Sequence, residues 1–322
     1  MKSFSRELGK YNRIIIHYHN EITGYLIELA QVPSHKIIWM LWSGDLYNCP
    51  FYRGEVYLPL TYGTGDITLF KPLPLKLKLK EKVKEYLKRP GYYLYKRSFA
   101  RIQTVGSFFP KDVQNAKDTF GVDFTHIFHG IVSVTEQLHN SVKEGLPILG
   151  DSILLGHAGV PELNHLDIIQ RMGSFFGDKK IICPLAYGNP SYIEKVKTSG
   201  VAQFGDRFEA LLDYMPREEY YQKLQKGSFA IFGAVIHQGF GNIMTLLYLG
   251  FKVFLFSWNP VYAQLKYLGL LLFPLENVDQ NSFSVPLSQE EKVLNRKILD
   301  EVLSEQRIDN YYREVYLNPV IA

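Results

Sequence analysis

The chain has only two cysteines, Cys49 and Cys183, in 322 residues. No disulfide framework can be built from them, and such usage fits a reducing compartment. An apolar signal core is missing as well: the opening MKSFSRELGKYNR is polar, so no signal peptide is expected. Long hydrophobic runs are absent. The most apolar stretch, 243–258, is interrupted by Gly250 and Lys252 and is too short for a membrane span. Several nucleotide and catalytic signatures are also lacking: GxxxxGK[ST], GxGxxG behind the first strand, GxSxG and paired CxxC. No DxD acidic pair stands ready to hold a metal, so neither a metal nor a cofactor is expected.

What is present is ordinary globular material. Apolar residues make up 46% and charged residues 21%, which excludes a disordered chain. With 22 Tyr and 21 Phe there is enough bulk for two cores, and the length points to two domains. The net charge of +4 is unevenly placed. Residues 71–97 carry ten Lys/Arg against Glu81 and Glu85, a surplus of +8, and the rest of the chain is acidic by −4. This excludes a uniformly basic nucleic-acid binder, and no nucleic-acid partner is expected. The strip 75–97 alternates Leu and Lys and then turns amphipathic. That pattern fits an anionic membrane surface, with a solvated charged face as the plainer alternative.

Short apolar runs alternate with amphipathic stretches. Strands are expected at 13–17, 36–41, within 124–134, at 152–155, 180–185, 208–212, 229–232 and 252–256. Helices are expected at 21–31, 111–119, 163–172, 191–199, 216–225, 242–249 and 287–304. Uninterrupted apolar strands between helices mean parallel sheets covered on both faces. The fold class is therefore α/β, with two Rossmann-like domains. The first covers 1–138 and carries a long insert at 49–97. A polar linker spans 135–150. The second domain covers 150–285, and residues 286–322 form a C-terminal helix packing back.

Chemistry is expected where loops leave strand ends, the ligand edge of an open α/β sheet. His237, Gln238, Gly239, Gly241 and Asn242 lie between strand FAIF and a helix. Glycine allows close backbone approach there, and the helix N-terminus suits a diphosphate. Gly156, His157 and Gly159 follow strand SILL, with Asn164 opening the next helix. Tyr187 and Gly188 follow strand KIICPL. Each loop alone reads equally well as a turn; three at one sheet edge are more telling. In the first domain Asp45 follows strand KIIWML, and His17 and His19 follow strand RIII. A general base would come from Asp45, His17 or His19, and Asp45 is preferred.

The order WSGDLY, ILLGHAGVPELNH, PLAYGNPSYIEKVKTSG, YMPREEYYQKL and HQGFGNIMTLLYLGFKVFLFSWNP resembles glycosyltransferase family 56. Those are the TDP-N-acetylfucosamine:lipid II N-acetylfucosaminyltransferases of enterobacterial common antigen synthesis. Trp42, Asp45, Leu46 and Tyr47 match one family stretch; Gly156, Gly159, Asn164 and His165 another; Gln238, Gly239 and Gly241 a third; Asn259 and Pro260 a fourth. Val160 and Asn242 depart from the family's Asp and Thr. The resemblance implies a GT-B architecture, two Rossmann-like domains facing a cleft. It implies a nucleotide-diphosphosugar donor on the second domain, with Asn259 added to the donor-binding set. It also implies inverting, metal-independent transfer to a lipid-linked glycan acceptor at the cytoplasmic face of the plasma membrane, in capsule, O-antigen or related polysaccharide synthesis. A non-catalytic sugar-nucleotide-binding protein, or another GT-B activity such as an epimerase, is the alternative.

Overall fold

The computed structural model describes residues 7–63, 90–130, 132–143 and 150–317. The chain divides into two compact units. Unit 1 comprises Met1–Gly54, Leu69–Ile131 and Ile308–Ala322; unit 2 comprises Glu55–Thr68 and Val132–Arg307.

In unit 1, β1 (Ile14–His17) leads to α1 (Glu21–Ala30) and β2 (Ile37–Met40). Asn20 and Thr23 form a reciprocal capping box that starts α1, and Gln31 ends it in the left-handed region at φ 52°. A one-turn helix, α2 (Gly44–Tyr47), follows β2. The next turn, α3 (Pro59–Tyr62), groups with unit 2. Helix α4 (Pro90–Ser98), β3 (Thr104–Ser107), α5 (Pro110–Phe120) and β4 (Thr125–Phe128) then complete the β/α series. Among the described residues these strands form one parallel sheet in the order β1-β2-β3-β4. Trp39 is fully buried, edge-on to Phe99, Phe120 and Phe124. The other side of β2 packs Ile38 and Met40 with Val315, which comes from the far end of the chain.

The long segment of unit 2 begins with α6 (Val134–Lys143), inside the stretch expected to be a linker. The missed signal is a capping box: Ser133 Oγ accepts from the Glu136 amide, and Glu136 accepts from Ser133. Val134 and Leu138 are then buried on one face. Five β/α steps follow: β5 (Ser152–Leu155), α7 (His165–Met172), β6 (Ile181–Pro184), α8 (Pro190–Phe204), β7 (Phe208–Leu211), α9 (Arg217–Leu224), β8 (Gly227–Phe232), α10 (Phe240–Leu249), β9 (Lys252–Leu255) and α11 (Pro260–Tyr267). The short β10 (Phe273–Pro274) closes a parallel sheet of order β10-β9-β8-β5-β6-β7 among the described residues. Strands β5, β6 and β8 are buried along their whole length, as strands covered on both faces should be. Phe283 fills the space between Phe176, Phe229 and Phe254.

Two helix expectations are corrected. Helix α8 runs on through Ser199 and Gly200 to Phe204, because Gly200 lies under the ring of Phe208, where a side chain would collide. The closing helix is two helices, α12 (Gln289–Val302) and α13 (Glu305–Tyr316). Leu303 leaves helical geometry, and Ser304 Oγ accepts from the Arg307 amide to start the second. From Ile308 onward α13 belongs to unit 1.

Most of the basic strip expected at 75–97 lies outside the described residues; residues 90–97 lie in α4. No helix among the described residues is long and apolar enough to cross a membrane.

Candidate functional site

In unit 2, β5 pairs with both β6 and β8. The chain moves outward through β6 and β7, then returns to place β8 on the other flank of β5. That reversal is a topological switch point, where an open α/β sheet takes its ligand at the carboxyl ends of the strands. The loops leaving β5 and β8 flank it. Gly239 is the N-cap of α10 at φ 69°, and no side chain caps this helix. The ring of His157 covers it: a Cβ on Gly239 would lie 2.7 Å from Cε1 and 2.8 Å from Nδ1. His157 is buried and its Nδ1 has no hydrogen-bond partner. Burial pushes its pKa down to about 4, so the ring is neutral at pH 7. A neutral imidazole and the first amides of α10 thus meet at one point, the donor set an anion takes at a helix start.

The other residues expected here divide by task. Asn164, fully buried at φ 51°, donates to the Gly233 carbonyl and accepts from the Leu58 amide. It ties the β5 and β8 loops to the segment before α3. Asn259, also fully buried, donates to the carbonyls of Ala234 and Ile236 and caps α11 through the Val261 amide. Both asparagines shape loops rather than offering free groups. Gly159 and Gly188 form a parallel bridge: the Gly159 amide donates to Tyr187 O at 2.7 Å, and the Asn189 amide to Gly159 O at 2.9 Å. The backbones lie so close that a side chain on Gly188 would overlap Gly159. Tyr187 is exposed beside this bridge, and His237 is buried. Gln238, Gly241 and Asn242 are half-buried around the start of α10.

Three further contributors stand beside these residues: His165, which matches the family stretch, Gln137 and the segment 57–61. His165 is fully buried with Nε2 unpartnered, directed at Gly156; burial, and then His157, lower its pKa to about 3. Its position beside Asn164 was the available signal. Gln137 of α6 lies against Gly241, and went unseen because its segment reads as a linker. Residues 57–61 are held on unit 2 by Tyr57 Oη to Glu162 and by the amides of Leu60 and Thr61 to Asp167.

In unit 1 the candidate bases occupy very different surroundings. Asp45 is only 2% exposed and accepts from the His19 amide, Trp39 Nε1 and the Trp42 amide at 3.1, 2.6 and 2.9 Å. Burial raises its pKa to about 6. Asp45, the preferred base of the sequence pattern, also ties together the turns after β1 and β2. His19 is buried as well, between Ser98 and Thr23, and burial lowers its pKa to about 3. His17 is exposed: Nδ1 accepts from Trp42 Nε1 at 3.2 Å, and Nε2 lies 3.1 Å from Tyr316 Oη.

A model of the family described as 4-alpha-L-fucosyltransferase glycosyl transferase group 56 matches residues 131–299. No curated protein matches the chain. Among solved structures, a sucrose-phosphate synthase from Thermosynechococcus elongatus gives a TM-score of 0.62 at 11% identity, over 98% of this chain and 77% of that one. An alpha,alpha-trehalose-phosphate synthase (UDP-forming) from Burkholderia xenovorans, in complex with glucose-6-phosphate, gives 0.57 at 10% identity, over 98% and 77%. These likenesses establish the fold as GT-B.

Proposed function

Since the chain belongs to glycosyltransferase group 56, and is a nucleotide-sugar glycosyltransferase of GT-B fold, we propose that unit 2 holds the donor by its diphosphate at the start of α10. One observation carries this: the buried, unpartnered Nδ1 of His157 against the uncapped helix start at Gly239. A neutral imidazole there donates one hydrogen bond without having to lose a proton. The amides of α10 add the positive end of the helix dipole. As the bond from the anomeric carbon to the leaving oxygen breaks, negative charge grows on the diphosphate, and these fixed donors stabilise it most at that moment.

On the acceptor side, His17 takes the proton of the attacking hydroxyl, and Asp45 holds the turns that present it. The sugar is a deoxy hexose of the N-acetylfucosamine type and the acceptor a lipid-linked glycan of a bacterial surface polysaccharide. Transfer is a single displacement that inverts the anomeric centre. The basic strip at 75–97 keeps the enzyme on the inner membrane surface.

A thermal-shift screen of UDP-, TDP-, GDP- and CMP-sugars tests the donor site, because a ligand selective for the folded state raises its apparent stability. One class of diphosphosugar should stabilise the protein and release nucleoside diphosphate slowly without acceptor. His157→Ala should abolish the shift. A shift that survives His157→Ala removes the diphosphate from this position. The anomeric proton coupling of the product decides between inversion and retention.

A further inference from the structure

The carboxyl end of the unit 1 sheet gathers aromatic side chains that its core leaves outside. Tyr18, Trp42, Tyr312 and Tyr316 are 45%, 39%, 38% and 40% exposed, while Trp39, Tyr47, Phe99, Phe109 and Phe124 are buried. The exposed rings are held in place around His17. Trp42 and Tyr316 bond its two nitrogens. Tyr312 and Tyr316 stack at 5.8 Å and 24° on successive turns of α13. Tyr18 reaches over α2, where a Cβ on Gly44 would lie 3.1 Å from its hydroxyl.

The backbone that presents these rings is strained. Tyr18 stands at φ 63°. Ser43 stands at φ 62°, ψ −65°, and the Gly44 amide donates back to Trp42 O at 2.6 Å. This is the rare positive-φ form of the γ-turn. Such positions are strained and persist only where neighbours over-determine them. The three bonds into Asp45 do so here. Strain maintained to keep rings in water points to a ligand.

We propose that this cluster is a platform for the ring of a neutral pyranose, the terminal sugar of the acceptor; the proposal rests on the reading of His17 as the base. The C–H bonds on one pyranose face carry slight positive charge and meet the negative face of an aromatic ring. The Trp42 indole N–H and the Tyr316 hydroxyl, bonded here to His17, form with its imidazole a set that sugar hydroxyls can enter by exchange. A polyphosphate would need cations, and the nearby Arg13 guanidinium is turned to the backbone carbonyls of Glu314 and Val315. A sugar stacked on Trp42 and Tyr316 brings a hydroxyl to His17.

Saturation-transfer NMR on the full chain tests this with methyl α-glucopyranoside and methyl N-acetyl-β-glucosaminide, with inorganic pyrophosphate and decanol as competitors. Saturation should reach the ring C–H protons. Trp42→Ala and Tyr316→Ala should weaken binding about tenfold or more, while Trp42→Phe keeps most of it. Both side chains are exposed, and unchanged melting temperatures show that the variants fold. No saturation of either pyranoside, unchanged saturation in both alanine variants, or displacement by pyrophosphate or decanol but not by a second pyranoside overturns the platform. Titration with UDP and TDP separates this from the donor site. Pyranoside binding lost in Trp42→Ala with no nucleotide binding in the wild type keeps the platform and removes the donor reading. The reverse pattern keeps the donor site and removes the platform.

Discussion

Trp42 fixes the tautomer of His17. An indole N–H only donates, so the 3.2 Å bond from Nε1 makes Nδ1 of His17 the unprotonated nitrogen. The proton then resides on Nε2, facing Tyr316 Oη 3.1 Å away. The basic lone pair is engaged by one long bond from an exposed side chain, which an incoming hydroxyl can replace. His17→Ala should therefore lower turnover by ~100-fold or more, the scale of a removed general base, with donor affinity and melting temperature nearly unchanged. Steady-state kinetics with calorimetric donor titration checks it; near-normal turnover would return the base to another residue.

Asp45 should behave differently. Asn offers one acceptor oxygen where the carboxylate meets three N–H donors, and its amide group would face a donor. Asp45→Asn should destabilise the protein by roughly 2–3 kcal/mol, as expected for losing charge-assisted bonds in a buried place. Activity should fall together with the structure of the turns. A variant with full stability but no turnover would mark Asp45 as the base itself.

The glycines of unit 2 separate structure from binding. A Cβ on Gly241 would lie 3.0 Å from the end of the Gln137 side chain, which can swing aside. Gly241→Ala should fold normally and bind a nucleoside diphosphate several-fold more weakly, since the methyl group stands where backbone must approach phosphate. Gly188→Ala, at φ 137° against the Gly159 backbone, should unfold the loop bridge and lower the melting temperature. Equal affinity in Gly241→Ala, read by isothermal titration, would place the diphosphate elsewhere.

Acid should destabilise this protein above pH 4. Burial lowers the pKa of His19 and His165 to about 3, and of His129 and His157 to about 4. Between those values and about 6.5 the unfolded chain binds protons that the native state refuses, so stability falls as pH falls. Asp45, raised to about 6, acts the opposite way between about 3.8 and 6. Four histidines outweigh one carboxyl. Each full proton is worth about 1.4 kcal/mol per pH unit. Calorimetry from pH 7 to 5 should show a falling melting temperature, with a shallower fall in His157→Gln. A rising melting temperature would contradict the assignment of these rings as buried and neutral.

The basic strip has its own check. Charge reversal at Lys78, Lys80, Lys82 and Lys84 should abolish co-sedimentation with acidic vesicles, and salt should weaken the wild type's binding. Unchanged co-sedimentation would leave the strip as a solvated face.

Much of this fold is legible in local pattern. A strand such as FAIF is apolar throughout because helices cover both sheet faces, and Gly239 stands as the N-cap of α10. The site was harder to read where its groups depend on distant partners. Asp45 looks catalytic by position, and only the packing of Trp39 and the His19 turn around it shows it buried. Asn164 and Asn259 look like ligand groups, but their amides are consumed by loop carbonyls at 233, 234 and 236. Gln137 was hidden by a polar helix with two buried apolar positions, and the Ser133–Glu136 capping box was the one clue.

Val315 sits at zero exposure against Ile38 and Met40, although nearly the whole chain separates them. On the ribosome, where domains generally fold from the N-terminus as they emerge, unit 1 is begun first and finished last. Its second strand waits with one face open until α13 has been synthesised, while unit 2 is made in between and can close earlier. A nascent chain stalled before residue 308 exposes Ile38 and Met40 to chaperones. A fragment ending at residue 131 would lack the Val315 side chain that covers Ile38 and Met40.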